Sequence, residues 1–186
     1  MTPADAEIRK LARVLGVPPE RFGYLRTVPP ADLRRLREQV TNTLFDAQLG
    51  VLERMAAASR LLPSPLLAKL AVKAFGPLLS ARIAGLVDSG RGVEVAKRLP
   101  PPFLADVAAE LDPRRAAGII AGLPAPLVAA VATELARRAD WITIARFVDH
   151  LPEQAIAVSM KAVPEQALPQ VTALLDDPSR AAYLTG

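Results

Sequence analysis

The side chains able to do covalent or acid–base chemistry are few. His150 is the only histidine, and Asp149 precedes it. Neighbours on a helix point about 100° apart, so the two do not form an orienting pair. A satisfied histidine at a helix end, near the negative pole of the helix dipole, is the expected reading. There is no cysteine, which excludes a thiol nucleophile, a disulfide framework and a Cys/His zinc site. No serine stands in a nucleophile-elbow context. Asp176-Asp177 is the one acidic doublet of the repeat half, and it precedes Pro178. Magnesium or calcium needs several converging oxygens, so the doublet is expected to cap the last helix. Gly90-Arg91-Gly92 lacks the Lys-Ser/Thr of a phosphate loop and reads as a turn. No catalytic, cofactor-binding or metal-binding residue is therefore expected, and no enzyme.

Residues suited to binding are more numerous. Arg34, Arg35 and Arg37 sit near the start of a long helix, and Arg9, Lys10 and Arg13 lie on the first helix. Glu7, Asp32 and Glu38 interrupt them, and no stacking aromatics accompany them, which argues against a nucleic-acid surface. Arg34, Arg35 and Arg37 are instead candidates for contact with a protein partner. Trp141, the only tryptophan, is either an interface anchor or part of the core. Lys69, Lys73 and Arg82 flank the apolar stretch Leu61 to Val87. Either that stretch is a buried hairpin with snorkelling lysines, or it lies on an anionic membrane. Gly118 and Gly122, four apart beside Ala117 and Ala121, fit close helix packing within the chain or a contact between two copies.

These residues need a scaffold, and composition defines its class. Of 186 residues, 34 are Ala and 27 are Leu, with 51% hydrophobic but only 4% aromatic. Ala and Leu favour helix, whereas a sheet protein wants β-branched and aromatic side chains. The net charge of +4 at this apolar content excludes a disordered chain. Surface scaling gives roughly 8,600 Å² exposed out of roughly 28,700 Å² unfolded, enough burial for an independent core. Charge is uneven: residues 1–93 hold 14 basic and 8 acidic groups, and residues 94–186 hold 9 and 11. A basic front half suits an acidic partner or anionic lipid. Prolines and charges break Leu61 to Val87, so no membrane span is expected. The polar start, Met1 to Arg9, has no signal-peptide core, and the expected location is the cytoplasm. Arg exceeds Lys by 18 to 5, a bias of GC-rich bacterial genomes.

The front segment, 1–63, reads as helical. Thr2-Pro3-Ala4-Asp5 is a helix start, and Gly16 with Pro18-Pro19 is a stop. Pro29-Pro30 then opens one long helix predicted to reach Leu62. Its apolar row is Leu33, Leu36, Val40, Leu44, Ala47, Val51, Met55 and Ala58, at the helical period. About 30 residues would span roughly 45 Å. A second row, Phe45, Leu49, Leu52 and Ala56, widens the apolar face. So wide a face must be covered by the rest of the chain or by a partner.

Residues 64–186 carry an internal repeat. Leu99, Leu111, Leu123, Leu135, Leu151, Val163 and Leu175 close successive units at spacings of 12, 12, 12, 16, 12 and 12. Proline follows most of them. The longer gap holds Arg137-Arg138-Ala139-Asp140, with Asp140 placed to cap the helix beginning at Trp141. Apolar residues recur four and seven positions before most of the marks, such as Val107 and Leu104 before Leu111, or Val131 and Val128 before Leu135; Ser159 and Gly92 are exceptions. Each unit is a short helix with one stripe, too short to be stable alone. Such units stack into an all-α superhelical solenoid, armadillo- or HEAT-like in kind, forming one continuous structure with the front segment.

Leu99-Pro100, Leu111-Asp112-Pro113-Arg114-Arg115-Ala116-Ala117 and Leu123-Pro124 resemble the cytosolic N-terminal superhelical domain of MgtE-type magnesium transporters over about residues 92–178. The resemblance implies that fold. The transporter's nucleotide-binding-type modules and membrane helices have no counterpart here, and the resemblance carries over neither a magnesium site nor transport. The function expected is a non-enzymatic protein-interaction or scaffold module, docking through the long helix or the concave repeat face. The alternative is a lipid-associated protein using residues 61–87, and a magnesium-sensing module is a weaker third.

Overall fold

The computed structural model describes residues 1–47 and 49–184. All regular structure among them is helical. Helix α1 spans Pro3–Leu15. Thr2 caps it: Asp5 N–H donates to Thr2 Oγ1 at 3.1 Å, and Thr2 N–H returns to the Asp5 carboxylate at 3.3 Å. Gly16 ends it in the left-handed region, φ 65°, where a side chain would be strained. A 3₁₀ segment, Pro19–Thr27, leads into α2 at Pro30–Asp46.

The predicted single long helix is two. Helix α2 ends at Asp46 and α3 runs Leu49–Ser59, with Ala47 in a turn and residue 48 outside the described residues. Weak helix formers surround the break: Thr41, Asn42 and Thr43 before it and Gly50 after it. Thr41 Oγ1 also donates back to the Arg37 carbonyl at 2.8 Å, a bond that bends helices. The buried row differs from the one the period favoured. Leu33 at the head of the predicted row is buried against α1, but Leu36, Leu44 and Val51 further along it are exposed, and Phe45, Leu52 and Ala56 of the second row are buried instead. Period alone fits either row. Packing selects between them, because α2 lies on α1 while α3 lies on the helix at Gly76–Ala84.

The remaining helices are α4 (Ser64–Leu70), α5 (Gly76–Ala84), α6 (Ser89–Ala96), α7 (Pro101–Glu110) and α8 (Ala117–Gly122). They continue as α9 (Ala125–Arg137), α10 (Trp141–Val148), α11 (Glu153–Met160) and α12 (Leu168–Ala173). A π-type turn, Ala71–Phe75, joins α4 to α5, and a 3₁₀ segment, Pro178–Leu184, follows α12. Prolines 100, 124 and 152 stand at the N-caps of α7, α9 and α11, where a missing N–H costs nothing.

No residue of the repeat stripe is exposed. Leu99, Leu111, Leu135, Leu151, Val163 and Leu175 are buried, and Leu123 is half-buried. One apolar cluster runs from Ala81 through Ile120, Ile144 and Ile156 to Leu184, and it takes in Ala6 of α1. Helices α5, α7, α9 and α11 pack successively on one another; α4, α6 and α8 do the same beside them. Small residues permit the α6–α8 approach. A Cβ at Gly92 would overlap Ile119, one at Gly118 would overlap the Ser89 hydroxyl, and one at Gly122 would lie 2.9 Å from Val93. Gly118 and Gly122 thus face α6 of the same chain.

Candidate functional site

The most charged region lies where α1 and α2 meet the ends of the repeat helices. Two aspartates from unit ends, Asp140 and Asp176, meet cations of α1 and α2. Arg13 makes a bidentate pair with Asp140, at 2.5 and 2.6 Å. Asp140 also caps α10, accepting from Thr143 N–H at 3.2 Å and Thr143 Oγ1 at 2.8 Å. Asp176 accepts from Lys10 Nζ at 2.5 Å and from Arg37 at 3.1 Å. Glu7 completes this cluster, 2.6 Å from Lys10, 3.2 Å from Arg37 and 3.5 Å from Arg34.

The cluster is unusually dry. Lys10 is 2% exposed and Glu7 3%. Burial alone would raise the Asp176 carboxyl, but Lys10 and Arg37 override it and hold the group at about 2. Asp140 shows the same contest: burial pushes it up, and Arg13 brings it below the ordinary carboxylate range. Asp112, at the end of α7, behaves likewise with Arg114. Further out, Arg114 approaches Glu38 of α2 at 3.7 Å, and the Arg115 guanidinium lies 3.8 Å over the Phe45 ring.

A cleft of about 310 Å³ opens beside the cluster, with Lys10, Arg37, Asp112, Arg146, Asp149 and His150 in its walls. Its groups are occupied with one another. Asp149 accepts the backbone N–H of Asp176 at 3.0 Å and of Asp177 at 3.3 Å, which anchors the C-terminal segment. Burial raises Asp149 and lowers His150. Arg146 donates to the Leu111 carbonyl at 2.7 Å, and burial brings its guanidinium down to about 10, still charged at neutral pH. Among the described residues no hydroxyl is hydrogen-bonded to His150, and what the cleft presents is charge and hydrogen-bonding groups.

The binding residues read from sequence are distributed differently. Arg37 is buried in the ion cluster, Arg34 is partly covered beside it, and Arg35 is exposed against Asp32 at 3.5 Å. The arginine row is therefore divided between an internal tie and the surface. Trp141 is half-buried against the main core at the start of α10. Lys69 and Lys73 are exposed, but Arg82 is half-buried in a separate groove with Phe45 and Arg115. The acidic doublet splits: Asp177 caps the final segment through Ser179 at 2.9 Å, whereas Asp176 belongs to the ion cluster. The role of Lys10 was missed from sequence. Its signal was a Glu7–Lys10 pair three residues apart within the apolar run Ala4, Ala6, Ile8, Leu11 and Ala12.

Among the described residues no group of three or more His, Asp or Glu side chains converges as a metal site. No helix among them is long and apolar enough to cross a membrane. No protein-family model, curated protein or solved structure matches the chain.

Proposed function

We propose that this chain is a non-enzymatic helical-repeat interaction module whose docking surface is the uncovered row of α2 and α3. The carrying observation is that row itself. Leu36 and Leu44 of α2 and Val51 of α3 are exposed, while Phe45, Leu52 and Ala56 of the same helices are buried. Exposed apolar rows of this kind mark contact sites. Arg35 stands beside Leu36 at its polar edge. The scaffold beneath is read as a superhelical solenoid of the type seen in the N-terminal domain of MgtE-type transporters. Support comes from the twelve-residue period, the wholly unexposed stripe and the packing of most repeat helices on the one two places along.

The test uses native capture with the full chain as bait, against Leu36→Glu/Val51→Glu. The expected result is a stoichiometric protein partner retained by the wild type and lost from the variant, with unchanged circular dichroism. A partner held equally by both, or none, refutes the assignment of this face.

A second reading, association with an anionic lipid surface, is favoured by one feature. Between Glu53 and Asp88 there is no acidic residue, while Arg54, Arg60, Lys69, Lys73 and Arg82 fall inside that run. Leu61 (86% exposed), Leu66, Val72 and Leu78 project from the same segment. Salt-sensitive binding to phosphatidylserine-containing vesicles, abolished by Lys69→Glu/Lys73→Glu, distinguishes this reading. Absence of vesicle binding at low salt removes it.

A further inference from the structure

The two sets of packed repeat helices enclose a half-open cavity of about 170 Å³. Both contribute walls: Leu67 and Val95 from one, Ile83, Leu104 and Val131 from the other. The surface of the chamber is almost wholly hydrocarbon. Walls of this kind favour an apolar guest over water, and the space suits one of about benzene size or somewhat larger.

Three polar side chains interrupt the hydrocarbon: Ser59 of α3, whose hydroxyl donates to the Ala56 carbonyl at 2.7 Å, and two others. Arg91 of α6 and Ser80 of α5 both line the chamber. Arg91 reaches across to the end of α3, where its terminal nitrogen donates to the Ser59 carbonyl at 2.6 Å and to the Leu62 carbonyl. Its remaining chemistry is unanswered. Arg91 Nε and Ser80 Oγ are both buried with no hydrogen-bond partner among the described residues. Among the described residues no carboxylate pairs with the Arg91 guanidinium, although Asp88 Oδ1 accepts the Arg91 backbone N–H at 2.9 Å; the guanidinium groups of Arg13, Arg34 and Arg37 each have a carboxylate partner. Buried donors in folded proteins are normally satisfied, and a guanidinium partly withdrawn from water favours a nearby anion.

We propose that this chamber binds a small amphipathic carboxylate of the medium-chain fatty-acid class. The hydrocarbon chain occupies the apolar space, and the carboxylate accepts from Arg91 Nε and Ser80 Oγ. The guest's charge answers Arg91, and its tail meets hydrocarbon walls. A neutral guest would leave the cation alone, and a purely polar anion such as phosphate would lose its hydration against hydrocarbon walls. The site is independent of the α2–α3 docking row, so either reading stands if the other fails.

The test titrates the full chain with octanoate by calorimetry, with octanol and acetate as the tail-only and head-only controls. One-to-one saturable binding of octanoate is expected, with octanol and acetate each much weaker. Ser80→Ala and Arg91→Gln should weaken octanoate about 10- to 100-fold, the worth of a charge-assisted hydrogen bond. Arg91 also ties down the end of α3, so an independent variant is needed. Ala108→Leu fills the chamber from α7 and should block binding while the protein stays folded. Absence of saturable octanoate binding, octanol binding as tight as octanoate, or full binding by Ala108→Leu each overturns the proposal.

Discussion

Replacing Asp176 by Asn should destabilise the protein by about 2–3 kcal/mol, and replacing Lys10 by Met should cost less than about 1 kcal/mol. The asymmetry follows from a charge count in the cluster of Glu7, Lys10, Arg34, Arg37 and Asp176. Three cations face two anions. Removing Asp176 leaves three against one in a site where Lys10 and Glu7 are almost fully buried. Removing Lys10 leaves two against two, with an apolar side chain of similar length in a dry pocket. Breaking a fully buried pair costs about 3–5 kcal/mol. The Asp176 side chain is 31% exposed, so water recovers part of that. The fall of its carboxyl from 3.8 to about 2 gives a separate figure of about 2 kcal/mol. Because the folded-state value is depressed, this stabilisation is complete above about pH 5 and disappears as pH falls towards 2. Urea unfolding followed by Trp141 fluorescence, at neutral pH and at steps down to pH 2, measures both effects. The gap between wild type and Asp176→Asn should close with acid, and Lys10→Met/Asp176→Asn should cost about 1–2 kcal/mol less than the two changes summed. An Asp176→Asn loss within about 0.5 kcal/mol, or a gap indifferent to pH, refutes the buried-cluster reasoning.

Three further outcomes are expected. Ile144→Ala should cost about 2–4 kcal/mol in chemical unfolding, because Ile144 is buried in the main core; a loss under about 0.5 kcal/mol would put the stripe elsewhere. Gly92→Val should lose at least about 1–3 kcal/mol through overlap with Ile119, whereas Gly90→Ala, two residues away, where a Cβ would meet only Asp88 Oδ1 at an ordinary 3.6 Å, should gain about 0.5–1 kcal/mol; equal effects would contradict the close α6–α8 approach. Millimolar Mg²⁺ should give no saturable rise in Tm, because Lys10 and Arg37 already hold Asp176 and Arg13 holds Asp140; a saturable rise would restore a sensing role.

Legibility in the sequence followed the range of the forces involved. The Thr2 cap, the Gly16 stop and the Asp140 cap rest on contacts within three or four residues, and the structure carries each of them. The repeat stripe was legible for a related reason: every unit meets the same constraint, so one period is written many times. Which apolar row of α2 and α3 turns inward was not legible. Leu36 and Phe45 are equally apolar and equally periodic, and only the positions of α1 and α5 decide between them. The ion cluster was hidden for a stronger reason. Lys10 and Asp176 are 166 positions apart, and Arg13 and Asp140 are 127 apart, so no local spacing announces either pair.

The uneven charge of the chain divides into two populations once the fold is known. Lys10, Arg13, Arg34 and Arg37, all from the basic front half, are answered by Asp140 and Asp176 of the acidic back half, with Glu7 between them. For these residues the acidic partner anticipated from composition is the far end of the same chain. Apolar contacts between short helices are non-directional and would allow α1 to settle at more than one register along the stack. A buried, hydrogen-bonded charge cluster penalises every register that leaves Lys10 or Arg37 unmatched, so it fixes where the front helices sit. The second population is the acid-free run of Arg54, Arg60, Lys69 and Lys73, all exposed. Its charge is not balanced within its own segment, and it lies beside Leu61 and Leu66. An anionic surface approaching this segment would meet these four side chains, whereas the cations around Asp176 are already engaged within the chain.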